Sequence, residues 1–302
     1  MNTKIIVNPN ADRGNAWRTA ADLRPIVDEY GGADWSGTVY PTHASELAQQ
    51  AAERGYNLVI VAGGDGTAHE VVNGLMQVSK EIRPRLGVIP LGSGNDFAHA
   101  IGMELDPARA LRQILEGQPH SIDIVRITDD LGRTEFMDNT LGIGFDAVVT
   151  IRSRNLAALR GFSMYFAAVM QTILLNHETL RMEIETDTEQ WIEDTMMLVL
   201  CNGPREGGGF RVAPQAAPDD GLLNYTAVRA VSRPTMLRLV PEVMNGTHGR
   251  FEQIRMGTFR RLKLRTDTPL RIHIDGEIFA GFGSDVHQLE VEIIPAAITV
   301  QA

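Results

Sequence analysis

Residues 59–67 read Val-Ile-Val-Ala-Gly-Gly-Asp-Gly-Thr, an apolar run that stops at two glycines, an acid, a third glycine and a hydroxyl, with a helix-like segment directly after. A run of this length bounded by glycine reads as a short buried strand. Gly63, Gly64 and Gly66 let backbone approach an anion where a side chain would collide. A helix starting near Thr67 offers unpaired N–H groups and the positive end of its dipole to phosphate oxygens. Asp65 stands where it can hold water on Mg²⁺ or reach a transferred group. The same residues also suit an ordinary strand-to-helix turn, so the rest of the chain must decide.

A second loop of the same build follows. Leu86-Gly87-Val88-Ile89-Pro90 is another short apolar run, and Leu91-Gly92-Ser93-Gly94-Asn95-Asp96-Phe97 brings glycines, a hydroxyl and an acid to the mouth of another helix. Open α/β sheets bind ligands beyond the carboxyl ends of their strands, which points two such loops at one ligand. Neither loop has the GxxxxGKS/T pattern, and no GxGxxG follows the first strand, which disfavours P-loop NTPases and Rossmann dehydrogenases.

These residues carry a family resemblance. Gly63-Gly64-Asp65-Gly66-Thr67 with Glu70-Val71-Val72-Asn73-Gly74, followed by Pro90 to Ala98, resembles the diacylglycerol kinase catalytic domain of the bacterial soluble lipid kinases. Asn8-Pro9 resembles the opening motif of that family, and Asp123 falls where it has an acid. Gly207-Gly208-Gly209, Ala213-Pro214 and Asp220-Gly221 resemble its middle block, and Asp275-Gly276-Glu277 its closing motif. The matches span nearly the whole chain in the right order.

The resemblance implies an α/β N-terminal domain with a mainly parallel sheet, a β-rich C-terminal domain and an active site in the cleft between them. It implies ATP-dependent phosphorylation of a lipid, diacylglycerol to phosphatidate being the expected reaction. Nucleotide contacts then fall to Asn8, Thr42, the loop Gly63, Gly64, Asp65, Gly66 and Thr67, the adjoining Ala68, His69 and Glu70, and Gly92, Ser93 and Asn95. Asp65, Asp96 and Asp123 become an acidic, water-bridged Mg²⁺ site, suited to a small cation that gives up water reluctantly. Glu277 becomes the base for the acceptor hydroxyl, while Asp275 also suits a plain turn. A structural Mg²⁺ is implied at Asp220 with the carbonyls of Ala217 and Leu222, where Asp219-Asp220-Gly221 would otherwise be a turn. Asp12-Arg13-Gly14 departs from the small-residue turn common after Asn-Pro. NAD kinase and phosphofructokinase share a GGDG loop, but PLGSGND and the late DGE fit lipid kinases better. Sphingoid bases, ceramide or phosphatidylglycerol are alternative acceptors, and a non-catalytic nucleotide- or lipid-binding regulator is the rival outside enzymes.

Composition fits this setting. At 302 residues and 43% hydrophobic content the chain can build one large or two medium cores. Its one cysteine, Cys201, excludes an intrachain disulfide, and the scattered histidines show no metal-ligand spacing. The first residues run straight into strand-like 5–7 without an apolar leader, so no signal peptide and a cytoplasmic location are expected. The longest uncharged stretch, 161–177, is short for a membrane span and reads as a buried helix. A net charge of −10 argues against general nucleic-acid binding. The basic cluster Arg250, Arg255, Arg260, Arg261, Lys263 and Arg265 suits either anionic headgroups at the inner face of a membrane or a solvated strand face.

Through about residue 120, strand-type runs (4–7, 37–40, 58–62, 86–90) alternate with helical segments, which predicts βαβ units. From about 134 strands dominate (180–186, 196–201, 222–228, 262–266, 270–274, 289–293), interrupted by helical stretches 145–175 and 234–244. The expected division is 1–125 for nucleotide and 126–302 for lipid, with 298–300 a last strand packing back on the first domain. An exposed strand edge in the second part allows a homodimer. Met164, Phe166, Val169, Met170, Ile173 and Leu174 suit either an acyl-chain channel or plain core. Gly142-Ile143-Gly144-Phe145-Asp146 resembles a family loop at the domain junction and receives no catalytic role.

Overall fold

The structure, a computed structural model, describes residues 2–156, 159, 161–176 and 178–302. The chain divides into two compact units, the first made of 1–124 and 295–302, the second of 125–294.

The first unit contains β1 (Thr3–Val7), α1 (Ala16–Glu29), β2 (Asp34–Gly37), α2 (His43–Glu53), β3 (Leu58–Gly63), α3 (Asp65–Met76), β4 (Arg85–Pro90), α4 (Asp96–Ala100) and α5 (Pro107–Glu116). Its strands run parallel in the order β2-β1-β3-β4. All six residues of β3 are buried, so the strand is covered on both faces, as the unbroken apolar run of a parallel strand requires. α1 packs on α5 and α2 on α3. Every parallel strand therefore points its C-terminal end, where Asn8, Gly63 and Leu91 stand, to the same edge. β2 lies three residues before the predicted 37–40. It pairs with β1 only as far as Val7↔Gly37, because β1 ends at Asn8-Pro9 and proline has no N–H to continue the ladder.

Then come β5 (Pro119–Asp129), β6 (Thr134–Met137), β7 (Thr140–Gly144), α6 (Phe145–Ser153), α7 (Gly161–Leu175), β8 (Leu180–Thr186) and β9 (Gln190–Cys201). After them follow β10 (Leu223–Arg229), α8 (Arg233–Asn245), β11 (Ile254–Phe259), β12 (Arg261–Thr266), β13 (Ile272–Ile274), β14 (Glu277–Ala280) and β15 (Gln288–Gln301). The second unit is antiparallel, in the order β14-β13-β7-β9-β8-β12-β15, with β10 between β9 and β11. Period-two alternation buries Leu180, Met182 and Ile184 of β8, Leu262 and Leu264 of β12 and Leu289, Val291 and Ile293 of β15 in one core. A second core gathers Val149 of α6, Ala168, Val169 and Ile173 of α7, Met236 and Leu239 of α8 and one face of β9.

The helical stretch 145–175 is two helices, α6 and α7; residues 157, 158 and 160 within it, and His177 beyond it, lie outside the described residues. β9 extends back to Gln190 because that half pairs with β8. The predicted strands at 289–293 and 298–300 are one continuous strand, β15, whose end belongs to the first unit, where Val300 pairs with Leu86. β5, β6, β7, β11 and β14 went unrecognised. β7 is glycine-rich and pairs with β9 and β13, both remote in sequence, while β6 and β14 are short arms of hairpins with β5 and β13. Among the described residues no helix is long and apolar enough to cross a membrane.

Candidate functional site

In the first unit the loops after β1, β3 and β4 interlock. Asn8 N–H donates to the Ala62 carbonyl (3.0 Å), Leu91 N–H to that of Gly63 (2.8 Å), and Asp12 N–H to that of Leu91 (3.0 Å). The Asn8 amide donates to Thr67 Oγ1 (2.9 Å), tying Asn-Pro to the GGDGT loop. The two glycine loops touch: a Cβ on Gly92 would lie 2.5 Å from Gly64 Cα, and one on Gly64 would lie 3.0 Å from Gly92 Cα. A Cβ on Gly63 would strike Thr67 at 2.6 Å. Loop packing therefore gives Gly63 and Gly64 a reason to be glycine in addition to the close backbone-to-anion approach read from sequence. The turn at Asp12, Arg13 and Gly14 has φ of 47°, 59° and 85°, so the first two hold a left-handed conformation that glycine would adopt more easily.

Asp65 joins the loops. Its carboxylate accepts from Asn95 N–H (2.8 Å) and Phe97 N–H (3.2 Å), so the acid of the first loop caps the helix that follows the second. Burial, and then the charge of Asp96, push Asp65 up to about 6 against the pull of these N–H groups. Asp96 is buried, and Asn95 closes its own loop, accepting from Gly92 N–H (2.9 Å) and donating to the Gly92 carbonyl (3.1 Å). Asp123 is buried in β5 and accepts from Ala296 N–H (2.8 Å), which anchors the end of β15. Asp65, Asp96 and Asp123 do not bring one oxygen each within 4.8 Å of one another, so they make no direct three-carboxylate chelate.

Glu70 has an architectural contact that its motif did not reveal. Its carboxylate accepts from Thr42 N–H (2.8 Å) and Ala44 N–H (3.1 Å), capping α2 and holding Thr42 at φ 71°. Thr42 and Ser93 are exposed, and Asn8, Gly64, Asp65, Gly66, Glu70, Gly92 and Asn95 are half-buried. Gly63 and the side chains of Thr67, Ala68 and His69 are buried, which leaves side-chain contact with a ligand to the others. The arrangement fits a bound nucleotide phosphate and cation: a paired glycine rim, a hydroxyl at Ser93 and two mutually repelling acids that a divalent ion would relieve.

In the second unit, Asp275 and Gly276 form a two-residue hairpin turn between β13 and β14 with φ of 50° and 83°. Asp275 is more than a turn former. Its buried carboxylate accepts from the N–H groups of Asp138 (3.0 Å), Asn139 (2.9 Å) and Thr140 (2.9 Å). Glu277, the first residue of β14, is exposed and paired with Arg154 at 2.6 Å. Asp220 accepts from Leu222 N–H (2.9 Å) beside Gly221 at φ 73°, the geometry of an Asp turn. In the basic cluster, Arg250 pairs with Glu242, Arg255 with Glu189, Arg261 with Glu292 and Lys263 with Glu290, which absorbs much of its charge.

The second unit also holds a cavity of about 80 Å³ among α6, α7, α8 and β9 to β11. Val169, Ile173, Met196, Val228, Met236 and Leu239 are among its apolar walls; its polar lining is Asp146, Tyr165 and Glu206. Of the α7 residues singled out in the sequence, Val169 and Ile173 line it, Met164 and Met170 are half-buried, and Phe166 and Leu174 are exposed. Asp146 is the residue that sequence reading passed over. Its Oδ1 accepts from Tyr165 Oη–H (2.6 Å), and its Oδ2 lies 2.6 Å from His273 Nε2. Burial alone would raise Asp146, but attraction to His273 and hydrogen bonds from His273 and Tyr165 outweigh it and hold the carboxyl below its ordinary range. The available signal was Gly142, whose alternation with Gly144 read as a turn. A Cβ at 142 would lie 1.9 Å from Asp146 Oδ2 and 2.3 Å from His273 Nε2.

Comparison with known proteins places this geometry. Residues 2–127 match the diacylglycerol kinase catalytic domain, and residues 139–302 match the YegS C-terminal NAD kinase beta sandwich-like domain. The chain belongs to the diacylglycerol kinase and YegS-type lipid kinase family. Its relatives include a protein of Chromohalobacter salexigens named "Probable lipid kinase YegS-like", 37% identical over 66% of this chain and 63% of that protein, just under two thirds of its length. A diacylglycerol kinase of Mycobacterium tuberculosis is 29% identical over 85% of this chain and 80% of its own. Among solved structures, that of a diacylglycerol kinase from Bacillus anthracis superposes with a TM-score of 0.75 at 20% identity, covering 99% of this chain and 96% of that one, which shows the shared fold.

Proposed function

We propose that this protein is an ATP-dependent lipid kinase that phosphorylates diacylglycerol to phosphatidate. The observation that carries the reading is the apolar cavity of the second unit, bordered by Asp146, Tyr165 and Glu206 and with no lysine or arginine among the described residues that line it. Such a lining suits a hydrocarbon chain and opposes a polar acceptor such as NAD or a sugar phosphate. At about 80 Å³ it takes on the order of 5–8 water-sized groups, enough for part of one acyl chain. The remaining hydrocarbon stays outside, where α7 exposes Phe162, Phe166, Leu174 and Leu175, in keeping with an acceptor drawn from a bilayer surface.

The division of labour follows from the residues. Gly64, Gly66, Gly92 and Ser93 would hold the donor phosphates, Asn8 and Thr42 would border them, and Asp65 and Asp96 would supply the negative charge that holds Mg²⁺. When bound, the ion neutralises charge on the transferred phosphoryl group. Glu277 accepts the proton of the lipid hydroxyl, and Arg154 steadies its carboxylate.

The test offers labelled ATP and Mg²⁺ with diacylglycerol, phosphatidylglycerol, ceramide, a sphingoid base, NAD and fructose 6-phosphate, and identifies products by mass spectrometry. Phosphatidate as the dominant product is expected. Transfer to NAD, or no transfer to any lipid from a total membrane extract, would sink the reading.

A further inference from the structure

The core of the second unit contains a polar group that a stable fold does not need. Asp146, Glu206 and His273 are 3%, 5% and 2% exposed, and each offers a ligand or hydrogen-bonding atom within 4.8 Å of the others. Tyr165 Oη–H lies 2.6 Å from Asp146 Oδ1 and 3.3 Å from Glu206 Oε1, bridging the two acids. Burying two carboxyls, an imidazole and a phenol costs free energy that apolar residues of the same volume would not. The chain also gives up two side chains to seat them. Gly142, opposite His273 on the neighbouring strand, leaves room for the Asp146–His273 contact, and a Cβ on Gly207 would lie 2.5 Å from the Tyr165 ring.

One end of this group borders the cavity, which Asp146, Tyr165 and Glu206 line. The other end reaches the hairpin turn. Gly276 N–H lies 3.4 Å from His273 Nδ1 as a donor, an arrangement that in the neutral ring puts the lone pair on Nδ1 and the proton on Nε2 toward Asp146. Gly276 immediately precedes Glu277, and its carbonyl also accepts from Arg154 (3.4 Å), the guanidinium that pairs with Glu277. His273 thus touches both the acidic border of the cavity and the turn presenting Glu277.

We infer that His273 is a positioning residue for Glu277, joining the acidic end of the acyl cavity to the turn that carries the base. The inference rests on Glu277 being the base of the proposed lipid kinase. Asp146 and Tyr165 fix the ring, the ring fixes Gly276, and Gly276 fixes where β14 begins. A shift of about 1 Å at a reacting group can cost about a hundredfold in rate, so this chain of contacts bears on turnover without touching the nucleotide.

The two nitrogens separate by substitution. His273→Asn keeps an acceptor near the Nδ1 position, and His273→Gln keeps a donor near Nε2 but loses the acceptor. With diacylglycerol in mixed micelles, His273→Gln should lower kcat by about 10–100-fold, leave the KM for Mg-ATP unchanged and displace the acidic limb of the pH–rate profile. His273→Asn should retain more of kcat and a limb closer to the unsubstituted protein. Equal losses in both variants that track a lowered melting temperature, with the limb unmoved, would make His273 a brace and overturn the inference. Unimpaired turnover of His273→Gln would overturn it too. If neither variant folds, Tyr165→Phe keeps the ring against Gly207 and removes only the hydroxyl. A displaced acidic limb with unchanged KM for Mg-ATP then supports the inference, and an unmoved limb overturns it. Glu277→Gln is run beside them: if it turns over normally the base assignment itself has failed, whereas an inactive Glu277→Gln beside an unaffected His273→Gln fails only the positioning role.

Discussion

Asp65 serves two demands that conflict. It must accept N–H groups from Asn95 and Phe97 to join the loops, yet burial and Asp96 oppose its charge and bring it up to about 6. Because the folded value lies above the ordinary 3.8, the protonated form favours the fold. That contribution is fully present below about pH 4 and is lost as pH rises through about 6. Mg²⁺ requires the ionised form, so its apparent affinity in the presence of ATP should rise over the same interval as protons cease to compete. Asp65→Asn should flatten both dependences and lower turnover by at least about a hundredfold. Urea melts and Mg²⁺ titrations from pH 4 to 8 check this. A variant that keeps the pH dependence of Mg²⁺ affinity would remove Asp65 from the cation site.

Among the elements, the β13–β14 hairpin depends on one carboxylate. Asp275 takes three backbone N–H groups from residues 138–140, the segment entering β7, while its own N–H donates to the Thr140 carbonyl (2.8 Å). Asparagine would offer one oxygen in place of two and turn an amide N–H₂ toward donors. Asp275→Asn should therefore cost about 1–3 kcal/mol, the scale of a buried donor left unsatisfied, and speed amide exchange at 138–140. Denaturant melts with hydrogen-exchange mass spectrometry decide; unchanged stability and protection would show that the three N–H groups find other partners.

At the scale of the whole molecule, the proposed roles of the two units separate by ligand. Mg-ATP alone should slow exchange at 62–70 and 91–97, the loops that interlock in the first unit. A short-chain diacylglycerol alone should slow it at 145–175 and 236–254, which hold α6, α7 and α8 around the cavity. Lipid protection confined to the first unit would refute the acceptor assignment.

Much of this protein is legible in its linear order because its strongest signals are local. A buried parallel strand must be an unbroken apolar run, and GGDGT and PLGSGND follow such runs directly, so the α/β character of the first unit, the position of its two glycine loops and the family were read from adjacent residues. The antiparallel second half was legible as strands wherever alternation was regular, as in β8 and β12. Other features depend on partners far away in the chain. β7 is a strand by virtue of β9 and β13, Glu70 caps a helix that begins 27 residues before it, and Gly64 packs against Gly92. Asp146, Tyr165, Glu206 and His273 are spread over more than a hundred residues with no motif among them, and only folding brings their side chains into one group. Hydrophobic period and glycine loops are properties of neighbouring residues and survive in the sequence; a polar group buried in a core is defined by distances that the chain acquires only when it closes.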